Sequence, residues 1–261
     1  MRASVLDGFM ALTTDKEGAI RGRVGVPWMY LDMHKDNEGN LDPLVTTGLG
    51  NLIDGPAKGD VYNLAWTHGD GGPLASRDEI DSAWNLVKSR VDLAPHGGGS
   101  QAFADLTDLR LSDDAILGLV RAKLSSFESR LRERFGGYDA WPADAQLGLL
   151  SMAWAMGPNF NYPKFAAEAN KLLPDFDILA KESAIRGNAP RTEAQETLFS
   201  NAAAVLRDNG DPARLYFPNS FSLSPRQAAI AKAGGISILS LLIAGGAMGG
   251  GYLYAKKKGW V

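Results

Sequence analysis

From Ala233 to Ala255 the chain runs for 23 residues without a charge, and Lys256, Lys257 and Lys258 follow at once. At about 1.5 Å of helix rise per residue, that length matches a bilayer core of roughly 30 Å. Tyr252, Tyr254 and Trp260 stand where interfacial aromatics belong. The glycines disfavour this stretch as a helix in water but suit close helix packing in lipid, and Gly245/Gly249 and Gly246/Gly250 have small-xxx-small spacing. The expected organisation is a folded region over 1–209, a Pro- and Ser-containing linker over 210–229, a transmembrane helix over 230–256 and a basic tail over 257–261. The lysine triplet marks a cytoplasmic end, although Arg226 and Lys232 on the other flank reduce the asymmetry. The N-terminus has no unbroken apolar stretch, because Asp7 interrupts it, so no cleavable signal peptide is expected.

The net charge of −3, with no dense basic stripe in the first 220 residues, argues against nucleic acid as a partner. The absence of cysteine rules out disulfides, thiol catalysis and zinc–thiolate sites. His34, His68 and His96 show no ligand spacing and read as solvated loop residues, so no metal and no cofactor are implied. Gly48-x-Gly50 lacks the third glycine and following helix of a dinucleotide loop.

Periodicity predicts an α+β chain that is mostly α. Residues 4–16 form an amphipathic helix, followed by two short strands over 28–33 and 44–50 that make a small N-terminal hairpin. The rest is helical. Ser76 and Glu79 form a capping box, and Ser112 caps a long helix. Pro142 suits the first turn of a helix over 143–156 that is apolar nearly all round, and hence central. Shorter helices follow near 163–173, 175–186 and 191–208. Met152, Trp154 and Met156 belong to the core.

Several local motifs fall in a definite order. Glu17-Gly18 stands at the end of the first helix, and Tyr30-Leu31-Asp32 opens the hairpin. Thr46-Thr47-Gly48-Leu49-Gly50-Asn51-Leu52 lies on its return strand, Ser151–Gly157 on the central helix, and Ala180-Lys181 and Pro190-Arg191 further on. This series over residues 5–208 resembles the phage-type lysozymes of T-even phages, with Asn51 in place of their usual His. The resemblance implies a lysozyme-like fold and a phage-encoded muramidase that hydrolyses the MurNAc–GlcNAc β-1,4 bond of peptidoglycan. It implies a catalytic Glu17–Asp32–Thr46 trio, with Tyr30, Gly48, Gly50 and Asn51 in support and Arg191 beside Glu17.

The chemistry needs a carboxylic acid sheltered enough to protonate the leaving oxygen, and an ionised carboxylate to position water. Glu17 suits the first role, and Asp32, on a strand, the second; Asp36 in the Lys35–Gly39 turn competes with it. Thr46 and Thr47 face opposite sides by strand alternation, so only one can hold that water. Arg191 by default lies on the surface. Together with the membrane segment, the resemblance implies a location in a virion or in the host inner membrane with the catalytic domain toward the wall, with peptidoglycan, lipid and other virion proteins as expected partners. Two other readings remain open: a lysozyme scaffold kept as an inactive structural or membrane-penetration protein, and a lytic transglycosylase, which needs no water-holding Asp.

Overall fold

The computed structural model describes residues 2–16, 24–35, 41–94, 99–185 and 188–222. The described chain is α+β and mostly helical, with a small antiparallel sheet. Its described residues fall into two compact units, one within Ala11–Ser125 and the other made of those up to Met10 together with those from Ser126 on. Two helices, α1 (Ala3–Lys16) and α3 (Asp113–Arg134), each run from one unit into the other.

The first unit is built on β1 (Val26–Lys35), β2 (Leu41–Gly48) and β3 (Asn51–Leu52), paired antiparallel in that order. Tyr30 pairs with Thr46 and Asp32 with Leu44, while the register shifts between Val26 and Tyr30. At that irregularity Thr47 Oγ1 lies 3.3 and 3.1 Å from the carbonyl oxygens of Val26 and Trp28, replacing ladder bonds that the bulge interrupts. Gly48 and Gly50 make the tight β2–β3 turn with φ of +62° and +75°, the left-handed region that favours glycine. A Cβ on Gly48 would meet Asn51 Oδ1 at 3.1 Å and Ile116 Cγ2 at 3.2 Å.

Helix α2 (Arg77–Ser89) starts at the expected Ser76–Glu79 capping box and buries Ile80, Ala83, Trp84 and Val87 against the sheet. Asp54 ties the two together. Its carboxylate accepts the Val45 N–H at 2.9 Å, the Gly55 N–H at 2.7 Å and Lys88 Nζ at 2.6 Å. Burial works to raise its pKa, but Lys88 and the two amides outweigh it and hold the carboxyl below the usual carboxylate value. A second sheet, β4 (Thr67–His68) with β5 (Leu109–Arg110), was not expected from the sequence. Two-residue strands have too little alternation to register as a pattern.

The second unit centres on α4 (Ala143–Met156), whose residues 143–154 are all buried, as its all-round apolar character predicts. Against it or its neighbours pack α5 (Pro163–Ala169), α6 (Phe176–Glu182) and α7 (Ala189–Arg207). Gly148 lets Phe199 of α7 approach so closely that a Cβ would lie 3.0 Å from its ring. Trp154 packs edge-on to Phe9 of α1 at 4.9 Å and Met152 is fully buried, while Met156 is half-exposed at the helix end. Helices α5 and α6 are shorter than their predicted extents, with residues 170–175 between them taken by a turn containing Pro174.

The predicted linker needs correction in its first part. Residues 211–222 lie on the helical unit, because buried Asp144 at the start of α4 accepts the backbone N–H groups of Tyr216 and Phe217 at 3.0 and 2.9 Å, and Asn201 Nδ2 at 2.9 Å. Asn201 in turn accepts the Phe221 N–H at 2.7 Å. Prolines and serines there signalled irregular backbone, which the segment has; they did not signal that its amides are held by a buried acid. Among the described residues no helix is long and apolar enough to cross a membrane. The predicted transmembrane segment 230–256 lies outside those residues.

Candidate active site

The β1–β2 register determines what the hairpin offers. Directly opposed residues share a face, as do residues two apart on one strand. Tyr30, Asp32, Leu44 and Thr46 therefore stand on one face, with Asp32 and Thr46 diagonal neighbours. Diagonal Cα atoms in such a ladder are roughly 7–8 Å apart. Asp32 is exposed and Tyr30 half-buried. Glu17, the predicted acid, and Asp36, the alternative to Asp32, lie outside the described residues.

Thr46 differs from the expected water-holding hydroxyl. It is 2% exposed, and its Oγ1 donates to the Leu44 carbonyl of its own strand at 3.1 Å. Thr47, on the other face, is also buried and sits at the bulge already described. Alternation is thus observed, but it does not leave either threonine in solvent: one face packs on the core, and on the other Thr46 lies between Tyr30 and Leu52, its register partners on β1 and β3.

The glycine motif has a structural account. Asn51 is buried and its Oδ1 accepts the Leu49 N–H at 3.3 Å, so its side chain closes the turn between Gly48 and Gly50. Lys123 Nζ of α3 donates to the Gly50 carbonyl at 3.1 Å.

Arg191 is not on the surface, contrary to the sequence-based expectation; it is 1% exposed. Its Nη1 donates to Ser151 at 3.2 Å (carbonyl) and 3.1 Å (Oγ). A buried guanidinium requires several acceptors, and Ser151 in the buried part of α4 supplies two. The central helix and the first turn of α7 therefore meet through these bonds. Asn188 caps α7 by accepting the Arg191 N–H at 3.1 Å, which fixes the residue on the first turn.

One titratable cluster was missed. His68 is not an isolated loop residue: its Nδ1 lies 2.8 Å from Asp108 Oδ2 and its Nε2 3.3 Å from Glu79 Oε1. The Asp108 hydrogen bond, reinforced by the charges of Asp108 and Glu79, raises the imidazole above its ordinary 6.5. Beside it is an open pocket of about 370 Å³ with Leu86, Leu106 and Leu109 in its lining. Nothing local in the sequence links His68 to Asp108, 40 residues away; only β4–β5 pairing, of His68 with Leu109, brings them together. Among the described residues no group of three His, Asp or Glu side chains is placed to hold a metal ion.

No protein-family model and no curated protein matches the chain.

Proposed function

We propose that the protein is a membrane-anchored peptidoglycan muramidase with a phage-type lysozyme fold, in which Glu17 protonates the glycosidic oxygen and Asp32 positions the attacking water. The observation that supports this best is the hairpin register. It displays Asp32 from a rigid strand, exposed, on the same face as Tyr30 and Thr46. A carboxyl group held on a strand and open to solvent is what the second acid of a glycosidase requires. The order of elements, a small sheet before a helical bundle with one helix buried over residues 143–154, agrees with the same reading. The uncharged 233–255 segment would hold the enzyme in a virion or host inner membrane, facing the wall.

A zymogram of the full detergent-solubilised chain on peptidoglycan tests the enzyme. Wild type is expected to clear the gel, and Glu17→Gln to lower the rate by roughly 10²–10⁴, the usual contribution of a general acid. No clearing by wild type under any condition would replace the enzyme with an inactive scaffold.

The state of Thr46 favours a second reading of the chemistry. With its hydroxyl proton committed to Leu44 and its side chain buried, it is poorly placed to hold an attacking water. A lytic transglycosylase has no such water, because the muramyl hydroxymethyl oxygen attacks instead. Mass spectrometry of the released muropeptides separates the two: reducing ends mean hydrolysis, and 1,6-anhydro ends mean transglycosylation.

A further inference from the structure

Between α5 and α6 the helical unit presents two bare leucines, Leu172 at 97% and Leu173 at 51% exposure. Their turn is firmly held. Glu168, buried on α5, accepts the Asp175 backbone N–H at 2.8 Å with one carboxylate oxygen and Lys171 Nζ at 2.5 Å with the other. Asp175 then caps α6 by accepting the N–H groups of Asp177 and Ile178. Residues 171–175 are thus clamped at both ends, and the leucines are displayed by a defined loop.

Their position in the bundle indicates what they meet. Arg207 at the end of α7 lies 3.9 Å from Asp177 in the first turn of α6. Trp141, just before α4, packs edge-on to Phe176 at 5.5 Å, and the Ala143 N–H donates to the Pro212 carbonyl at 2.9 Å. The start of α6, the start of α4, the end of α7 and the beginning of the 211–222 segment therefore share one end of the bundle. The leucine turn leads directly into that end, and from it the chain proceeds toward its uncharged segment. Only residues 223–232 separate the two, a reach of at most roughly 35 Å.

We propose that the Leu172–Leu173 turn is a second membrane contact, dipping into the interfacial layer of the bilayer that carries residues 233–255. This rests on the anchor reading above. Lipid is the committed occupant because a nearby span confines the bundle to the membrane, so even a weak apolar contact acts at high effective concentration. Zwitterionic lipid suffices, since Lys171 and Arg207 beside the turn are offset by Asp175 and Asp177.

The chain has no cysteine, so Leu172→Cys carries the only thiol and takes one environment-sensitive fluorophore. In the full chain reconstituted into phosphatidylcholine vesicles, the label at 172 is expected to shift to the blue. It should lose most of its emission to a lipid-borne nitroxide and resist aqueous iodide. A label at Glu193→Cys, about 20 Å along α7 from Arg207 at that end of the bundle, should respond to iodide alone. Adding Leu173→Asp should return the 172 label to water. If the chain floats with the vesicles and the 172 label behaves like the 193 label, the contact is overturned and the anchor stands. A 172 label shielded from iodide yet untouched by the nitroxide assigns the turn to a protein partner and also overturns it. If the chain does not float, anchor and contact fall together.

Discussion

Asp108 and Glu79 hold the His68 ring between them, one at each nitrogen, and that arrangement makes its protonation predictable. Both contacts favour the imidazolium, so the folded pKa lies above the unfolded one. The stabilisation is then fully present below about 6.5 and fades as pH climbs through the raised folded value. An NMR titration of the His68 ring protons should give a midpoint above 6.5, and Asp108→Asn should lower it by removing the largest contribution. A midpoint unchanged by Asp108→Asn would mean the ring does not face that carboxylate in solution. Single residues were the hardest scale to read from sequence. His68 and Arg191 both looked like surface groups, because the partners that define them, Asp108 and Ser151, lie 40 positions away and are brought close only by folding. The motif residues fared differently: Gly48, Gly50 and Asn51 are contiguous, and one tight turn accounts for all three.

Elements were legible where their signals were local. The Ser76–Glu79 box starts α2, Ser112 accepts the Ala115 N–H at the start of α3, and the all-round apolar run of α4 is buried. What joins the elements was not legible. The hairpin and α2 are coupled through Asp54, which an inspection of its neighbours in the chain gives no reason to select. Asp54→Ala would leave the Val45 and Gly55 amides without their acceptor and Lys88 without its counter-ion, a loss of about 3 kcal/mol. Because the folded pKa is held below the ordinary 3.8, the contribution is present above that value and disappears as pH falls through the lowered one. Urea melts at pH 7 and pH 3 check both statements: the wild-type advantage over Asp54→Ala should be large at the first pH and smaller at the second. An equal difference at both would show that the carboxylate's charge contributes nothing.

At the scale of the whole molecule, the chain order of a small sheet followed by a helical bundle was readable from the change in hydrophobic period, from two to 3.6. The route by which the helical unit hands the chain on to its C-terminus was not, because it depends on a buried acid receiving backbone amides from 72 and 73 residues away. Asp144 is wholly buried, and burial pushes its carboxyl up despite the opposing bonds from Asn201, Tyr216 and Phe217. The fold accepts that cost at one point to hold residues 211–222 against α4 and α7. Asp144→Ala removes an acceptor from three donors; the Tyr216 and Phe217 amides can recover water if their segment peels away, whereas Asn201, which also donates to the Asn219 carbonyl at 2.9 Å, is held on α7. The expected result is therefore local: faster hydrogen exchange at residues 211–222 and early proteolysis there, with the α4 and α7 amides protected and the bundle destabilised by about 1–3 kcal/mol. Exchange that rises uniformly through α4 and α7 would mean that Asp144 supports the bundle as a whole. A strap whose middle is held by Asp144 would help set the distance between the bundle and the proposed anchor. The same variant in vesicles should then free the Leu172 label from the bilayer while the chain still floats.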